Sequence, residues 1–362
     1  MKRVLKLIAV IGVLMLTLSA NVFALTDGDW EFQLLDNEVT ITKYLGSGGN
    51  VVMPETIYGA PVTSMNAHAF NDAPAIVSVT FPSSMKIIPL QCFNSLVGNG
   101  KRALEEIILP EGVEEIGYQA FAGANKVKSI VLPSTLKVID DQAFKDCTSL
   151  NIINFPDSLE SIGKEAFKNT GLEILDLSDT KATISVSSFA ECPNLTTVTL
   201  NNFVKTIPSA AFQNCEKLRD VAIPASVTSI GSGAFSGTAI EKIILPTSLT
   251  EIEKYGAFSN CKNLKEIVIP YGTKSIGGNT FEDCTNLEAV YIPDTVSSIG
   301  ILNIVEGCPN AIIYCTADSY TAKHCKDKTI SYLTDNSVNS GITVLYNGTR
   351  ISFHAYGQNP EL

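Results

Sequence analysis

Between Leu104 and Lys126 the recurring apolar positions are Leu104, Ile107, Leu109, Val113, Ile116, Ala120 and Phe121. The same places 23 positions on hold Val127, Ile130, Leu132, Leu136, Ile139, Ala143 and Phe144, and another copy opens at Leu150. Within one copy Leu104, Ile107 and Leu109 point one way and Glu105, Glu106 and Ile108 the other, the alternation of a short strand. Pro110 ends that strand, because it has no N–H for a ladder. A second short run, Val113 to Ile116, closes at Gly117, and Ala120-Phe121 reads as a single helical turn that buries the ring. One such coil cannot cover its own apolar face, so successive coils must stack.

The register holds over most of the chain. Proline or its equivalent recurs at Pro54, Pro82, Pro110, Pro133, Pro156, Ser178, Asn201, Pro224, Pro246, Pro270 and Pro293. The buried aromatic recurs at Phe70, Phe93, Phe121, Phe144, Phe167, Phe189, Phe212, Phe235, Phe258 and Phe281. A period of about 20–29 residues with aliphatics in register is the mark of a leucine-rich solenoid. The expected fold is a mainly β, right-handed leucine-rich repeat solenoid of about eleven rungs. It should carry short parallel strands, one helical turn per repeat and a cap at each end. At about 4.8 Å per rung it is a rod about 50 Å long.

Departures from the pattern divide the chain. Residues 1–24 read as a secretory signal: Lys2, Arg3 and Lys6, then the apolar Leu7 to Leu18, then Val22-Phe23-Ala24 before the cut. That apolar core is short for a membrane span. Residues 25–62 form an expected N-terminal β cap, with Trp30-Glu31-Phe32 and Val39-Thr40-Ile41 as strands and a glycine-rich turn at Leu45 to Asn50. The array takes 63–309, with a bulging loop at Ser95 to Arg102. A C-terminal cap follows over 310–333, its helix starting from Asp318 as N-cap. Residues 334–362 read as a linker and a β-hairpin turning at Asn347-Gly348, and no anchor segment is expected after it.

Charge narrows the function classes. Removing Lys2, Arg3 and Lys6 from the 26 basic residues leaves 23 against 37 acidic ones, a mature charge of −14. Such a surface repels nucleic acid and anionic membranes. Neither a nucleic-acid partner nor membrane insertion of the mature chain is expected, and the chain should be a monomer.

The unit L-x-x-I-x-L-P-x-x-L-x-x-I-G-x-x-A-F-x-x-C, carried clearly by Leu264 to Asn286 (LKEIVIPYGTKSIGGNTFEDCTN), resembles the BspA-type leucine-rich repeat of bacterial surface proteins. The opening, from Val39-Thr40-Ile41 through Gly48-Gly49 to Ser64, and the stretch from Asp318-Ser319-Tyr320 are similar to that family's usual start and end. The resemblance covers residues 28–333. It implies a secreted or surface-displayed protein that adheres to host matrix proteins or to other cells. Ile342 to Phe353 faintly resembles the opening of the copper amine oxidase N-terminal-like domain appended to some bacterial surface proteins.

Candidate chemistry adds little. Cys147, Cys192, Cys215, Cys261 and Cys284 each stand three residues after the repeat Phe, and Cys308 lies near that place. Recurrence in register reads as a small buried ladder residue, so most repeat thiols should stay reduced. Cys315 and Cys325 are the expected pair if any disulfide forms. His68, His324 and His354 are too scattered for a catalytic constellation, and Cys315, His324 and Cys325 lack zinc spacing. Glu105, Glu106, Glu114 and Glu115 occupy outward places and read as solvating charge rather than a carboxylate pair. The glycine run before Val51 has no helix after it to cradle a phosphate. No enzyme, metal or cofactor is expected.

What remains is a surface. The outward row before the proline runs Thr80, Ile108, Val131, Asn154, Asp176, Thr199, Ala222, Ile244, Val268, Tyr291, apolar at both ends. Ile244, Val268 and Tyr291 on consecutive rungs, rimmed by Lys242, Lys265, Glu266 and Glu288, are the candidate binding residues, with Tyr291 as anchor. The same row also fits strand preference alone. Two readings follow: a non-enzymatic secreted or cell-surface adhesion protein whose strand face engages an extracellular protein or glycan, or a structural or targeting module of the cell envelope.

Overall fold

The computed structural model describes residues 24–73, 75–93 and 103–334, and the backbone of 343–346 and 349–352. The expected signal at 1–24 and the Ser95 to Arg102 loop lie almost wholly outside them. In the tail, Thr343–Tyr346 pairs antiparallel with Thr349–Ser352, as a hairpin about Asn347-Gly348 requires.

The repeat coils into a parallel β-solenoid of about 12 turns. Each turn contributes one strand to a first face. There Gly49–Val52, Ile76–Thr80 and Glu106–Ile108 pair in one group and Ser129–Val131 with Ile152–Asn154 in the next. Ile174–Asp176, Thr197–Thr199 and Asp220–Ala222 follow, then Glu266–Val268, Ala289–Ile292, Ile312–Cys315 and Tyr332–Thr334. Two-residue strands such as Glu115–Ile116, Val138–Ile139 and Ser161–Ile162 build a second face, again parallel and in register. The alternation sets which side chains are inside: Ile107, Ile130, Leu175 and Val198 are buried, whereas their neighbours on the same strands face out.

Two features differ from the sequence expectation. The rung count rises by one, because Ile312–Cys315 joins the ladder in register with Ala289–Ile292 although it carries neither the proline nor the phenylalanine of the repeat. The turn around Ala-Phe is also not helical. Gln119, Gln142, Glu165, Ser187, Ala210 and Asn279 all have φ between 53° and 59°, and a left-handed residue on every coil breaks the i→i−4 pattern. The backbone bonds run between coils instead, Phe121 N to Ala143 O at 2.9 Å and Phe144 N to Ala166 O at 2.8 Å. These bonds hold the rings in a column, with Phe121, Phe144, Phe167 and Phe189 stacked at centroid distances of 5.6, 5.2 and 5.4 Å.

The left-handed positions also align their side chains. Gln91 Nε2 donates to Gln119 Oε1, Gln119 Nε2 to Gln142 Oε1, and Gln142 Nε2 to Glu165 Oε2 at 3.0 Å. Lys145 Nζ ends the chain on the same Glu165 oxygen at 2.6 Å. The hydrogen bond from Lys145 holds the Glu165 carboxyl below its ordinary value, against the opposing effect of desolvation. A depressed folded pKa contributes stability that is present above the unfolded value, about 4.3, and is lost as pH falls through the folded one. Glu165→Gln is therefore expected to flatten the acid limb of the stability–pH curve below about pH 4.3 while the remaining limb persists. Denaturant titrations from pH 7 to pH 3 check this, and an unchanged limb in the variant refutes the coupling.

At the start, Trp30–Leu35, Glu38–Tyr44 and Ala60–Met65 form the centre of a five-stranded sheet that closes the first coil. Asp36 and Asn37 both have positive φ, the two-residue hairpin turn that suits strand twist. Trp30 lies against Tyr44 and Phe70, covering the first ring of the column. At the far end the helix Tyr320–Lys328 is capped by Ser319, not by the expected Asp318. Asp318 has φ 58°, whereas an N-cap needs the extended backbone that Ser319 has.

Candidate functional site

Seven residues were singled out by sequence, and the structure separates them. Ile244 projects fully, 87% exposed, but from a stretch that is not a strand. Val268 is half-buried and lies in register beside Tyr291. Tyr291 is only 8% exposed, its ring stacked 4.8 Å from Tyr314. The proposed anchor is thus covered by the twelfth rung, the strand absent from the proline count. Lys242, Lys265 and Glu288 are exposed and Glu266 is intermediate, so the polar rim exists around an apolar centre of which only Ile244 stands clear.

The exposed apolar side chains of the strand face gather elsewhere. Ile108, Val131, Ile152 and Ile174 stand out from four consecutive coils, Val131 at 80%, Ile152 at 66% and Ile174 at 61% exposure. Ile108 and Val131 belong to the outward row before the proline. Ile152 and Ile174 belong to the outward place two residues earlier, which register puts beside Ser129 and Thr197. The apolar stretch therefore crosses the face diagonally, and a scan of one row sees half of it.

The ladder of this face is interrupted three times, after Ile108, after Asn154 and after Ala222. Between Ala124 and Thr238 the residue three places beyond the repeat Phe tracks where, although Cys261, bonded to Phe235 O at 3.1 Å, precedes a strand with no earlier partner and Ala73 precedes one that is paired. Where it is Cys, its thiol donates to the Phe carbonyl of the preceding coil: Cys147 to Phe121 O, Cys192 to Phe167 O and Cys215 to Phe189 O, at 3.1–3.2 Å. The strands that follow those three cysteines join the preceding rung. The three interruptions follow Ala124, Thr170 and Thr238. Thr170 and Thr238 direct their hydroxyls to their own Phe carbonyls three residues back, at 3.0 and 2.9 Å. Each also stands in a copy shortened by one residue, with Leu172 and Ile240 five rather than six positions after the Phe. With the stitch to the preceding coil gone and the turn shortened, the next strand enters off the ladder. Consistent with this, the inward residues just before these two gaps, Ile153 and Val221, are half-exposed instead of sealed.

The first shortened copy opens a cavity of about 450 Å3 between the strands Ile152–Asn154 and Ile174–Asp176. Its walls are Ile152, Ile174, Phe155 and Pro156, with Asp157, Glu173, Asp176 and Asp179 at the rim and no basic residue in the lining. Asp176 Oδ1 accepts from Ser178 N at 3.0 Å. Across the solenoid the second face stays bonded, with Ser161–Ile162 paired to Thr183–Ile184. The coils are therefore splayed on the strand side only.

The other candidate groups sit apart from this face. All nine cysteines are free thiols, Cys315 and Cys325 among them, and burial pushes the Cys325 thiol up to about 12. His68 is exposed in a left-handed turn. Burial lowers the pKa of His324, whose Nε2 has no hydrogen-bond partner among the described residues. Among the described residues there is no cluster of three metal-ligating groups, and no helix is long and apolar enough to cross a membrane.

Residues 63–196 and 182–310 match the BspA type leucine rich repeat region, in 6 copies. Among solved structures the chain is similar to the pneumococcal vaccine antigen PcpA, at 20% identity over 88% of this chain and 100% of that one, with a TM-score of 0.53. It is also similar to a leucine rich cell surface protein from Faecalibacterium prausnitzii, at 24% identity over 90% of this chain and 100% of that one, with a TM-score of 0.47. A leucine-rich repeat protein from Bacteroides ovatus aligns at 20% identity over 87% and 100%, with a TM-score of 0.49. No curated protein matches. The likeness to PcpA bears on the fold alone.

Proposed function

We propose that this chain, which belongs to the BspA-type leucine-rich repeat family, is a non-enzymatic binding protein of the cell surface or the extracellular space. Its strand face engages an extracellular protein or glycan by contact along several coils. The observation that carries this reading is the diagonal of exposed aliphatics, Ile108, Val131, Ile152 and Ile174, on four consecutive coils, whereas Val52, Ile244 and Leu333 stand out singly elsewhere on the face. Isolated exposed apolar residues are ordinary, but contiguous ones on an extended solenoid sheet mark a contact surface. The rim of Asp176, Glu173 and Asn154 supplies the polar border that interfaces use. An array of this kind needs no deep pocket, since every coil adds outward side chains at a fixed spacing.

The test is a binding screen of the chain on immobilised extracellular matrix proteins and glycans, repeated with Ile108→Asp and Val131→Asp combined. Both residues are solvated, so the unfolding midpoint should hold to within about 0.5 kcal/mol. Affinity for any ligand found should fall at least tenfold. An unchanged affinity in the folded double variant removes the aliphatic diagonal from the binding surface.

A further inference from the structure

We propose that the cleft between Ile152–Asn154 and Ile174–Asp176 receives an extended segment of a partner protein that places a lysine or arginine among aliphatic side chains. The inference rests on the strand-face reading and names the partner chemistry for one part of that face. Three observations define the occupant.

First, the two strands that flank the cleft are each paired on one side only. Ile152–Asn154 pairs with Ser129–Val131, and Ile174–Asp176 with Thr197–Thr199, so their remaining edges face the gap. Unpaired N–H and C=O groups in a row are met by another strand more completely than by any compact ligand. Second, the walls are aliphatic. Ile152 and Ile174 offer branched side chains, and the partly buried Ile153 lines the cleft with them. The cavity of about 450 Å3 is in the range of side-chain and small-ligand pockets. No flat aromatic face is offered to a sugar ring, because Phe155 is 9% exposed. Third, the rim is acidic without compensation. Asp157, Glu173, Asp176 and Asp179 are exposed, and none has an ion-pair partner among the described residues. A cation on the partner would find complementary charge there, with association favoured at low salt.

The cleft exists because the copy from Leu150 is one residue short and carries Thr170 where stitched copies carry Cys. That origin gives the sharpest test. Replacing Thr170-Gly171 with the three residues found at Cys284-Thr285-Asn286 restores the ordinary length and the thiol donor. The restored copy should rejoin the ladder and close the cleft, leaving Ile108 and Val131 untouched.

The probe is a fluorescein-labelled, end-blocked octapeptide of alternating valine and lysine, titrated with the full chain and followed by anisotropy. Its valine–glutamate counterpart is the control. The lysine peptide should bind at least tenfold more tightly than the glutamate peptide, and more weakly as salt rises from 50 to about 500 mM. Asp176→Asn with Asp179→Asn should weaken it at least tenfold at an unchanged melting temperature, and the length-restored chain should lose it. Hydrogen exchange must show slower amides over 173–176 in that restored chain, which separates a closed cleft from a misfolded coil. Equal binding of the two peptides, no binding of either, or full affinity in the restored chain overturns the proposal. So does a neutral oligosaccharide that competes with the peptide at the cleft, since that outcome makes the site a glycan groove. If Ile108→Asp with Val131→Asp abolishes matrix binding while the restored chain keeps it, the strand-face reading stands and the cleft falls. The reverse pattern keeps the cleft and removes the aliphatic diagonal.

Discussion

Phe144→Ala is expected to cost about 3–5 kcal/mol, the range for emptying an aromatic core site. The ring is 1% exposed and stacks on Phe121 at 5.6 Å and on Phe167 at 5.2 Å. Both losses that follow truncation are large here. The buried area is lost outright, and the void cannot be refilled cheaply. Coils above and below are held by backbone bonds on either side of the ring, Phe121 N to Ala143 O and Phe144 N to Ala166 O. Collapse would require breaking those bonds, so the cost should sit high in the range. Phe144→Leu keeps most of the volume and should cost clearly less. Denaturant titration of both variants decides the point, and a loss below about 1 kcal/mol for the alanine variant would place the ring outside the core.

Why that ring was legible in sequence, and the cleft was not, has a physical explanation. Burial in a stacked coil is dictated by periodicity, and from Phe121 onward Phe144 and its copies recur every 22 or 23 residues. The inward aliphatics follow from the two-residue alternation of a strand, so Ile107, Ile130 and Leu175 were fixed by the same count. What a count of conserved places hides is a place that is missing. The cleft comes from one absent residue between Phe167 and Leu172 and from a hydroxyl that turns back on its own coil. The signal was in the string, as Thr170 and Thr238 in the cysteine column, but its meaning depends on which carbonyl the donor reaches. Tyr291 fails for a related reason. Its exposure depends on whether another strand follows, and Ile312–Cys315 carries no proline or phenylalanine to announce itself. The amide chain from Gln91 to Glu165 was likewise visible only as a recurring polar place; a left-handed backbone there aims the side chains along the stack.

Cys215→Val removes the thiol donor and should destabilise the chain by about 1–3 kcal/mol, the penalty for stranding a buried hydrogen-bonding group, with the extra methyl adding to the cost. The thiol is fully buried and donates to Phe189 O at 3.1 Å across the coils. Valine supplies no donor to that carbonyl. If the cysteine column were only a column of small apolar residues, Cys215→Val would carry the overpacking cost alone and Cys215→Ser would be the more damaging change. With the hydrogen bond as the reason for the residue, the order reverses. Cys215→Ser keeps a donor aimed at Phe189 O and should lose less stability than the valine variant. The strand Asp220–Ala222 follows Cys215 and pairs with Thr197–Thr199, so its amides report the stitch directly. Hydrogen exchange over 220–222 should quicken in Cys215→Val and stay near the parent rate in Cys215→Ser. The opposite ranking in both stability and exchange would reduce the thiols to filler, and the pairing of strands would then need a cause in turn length alone.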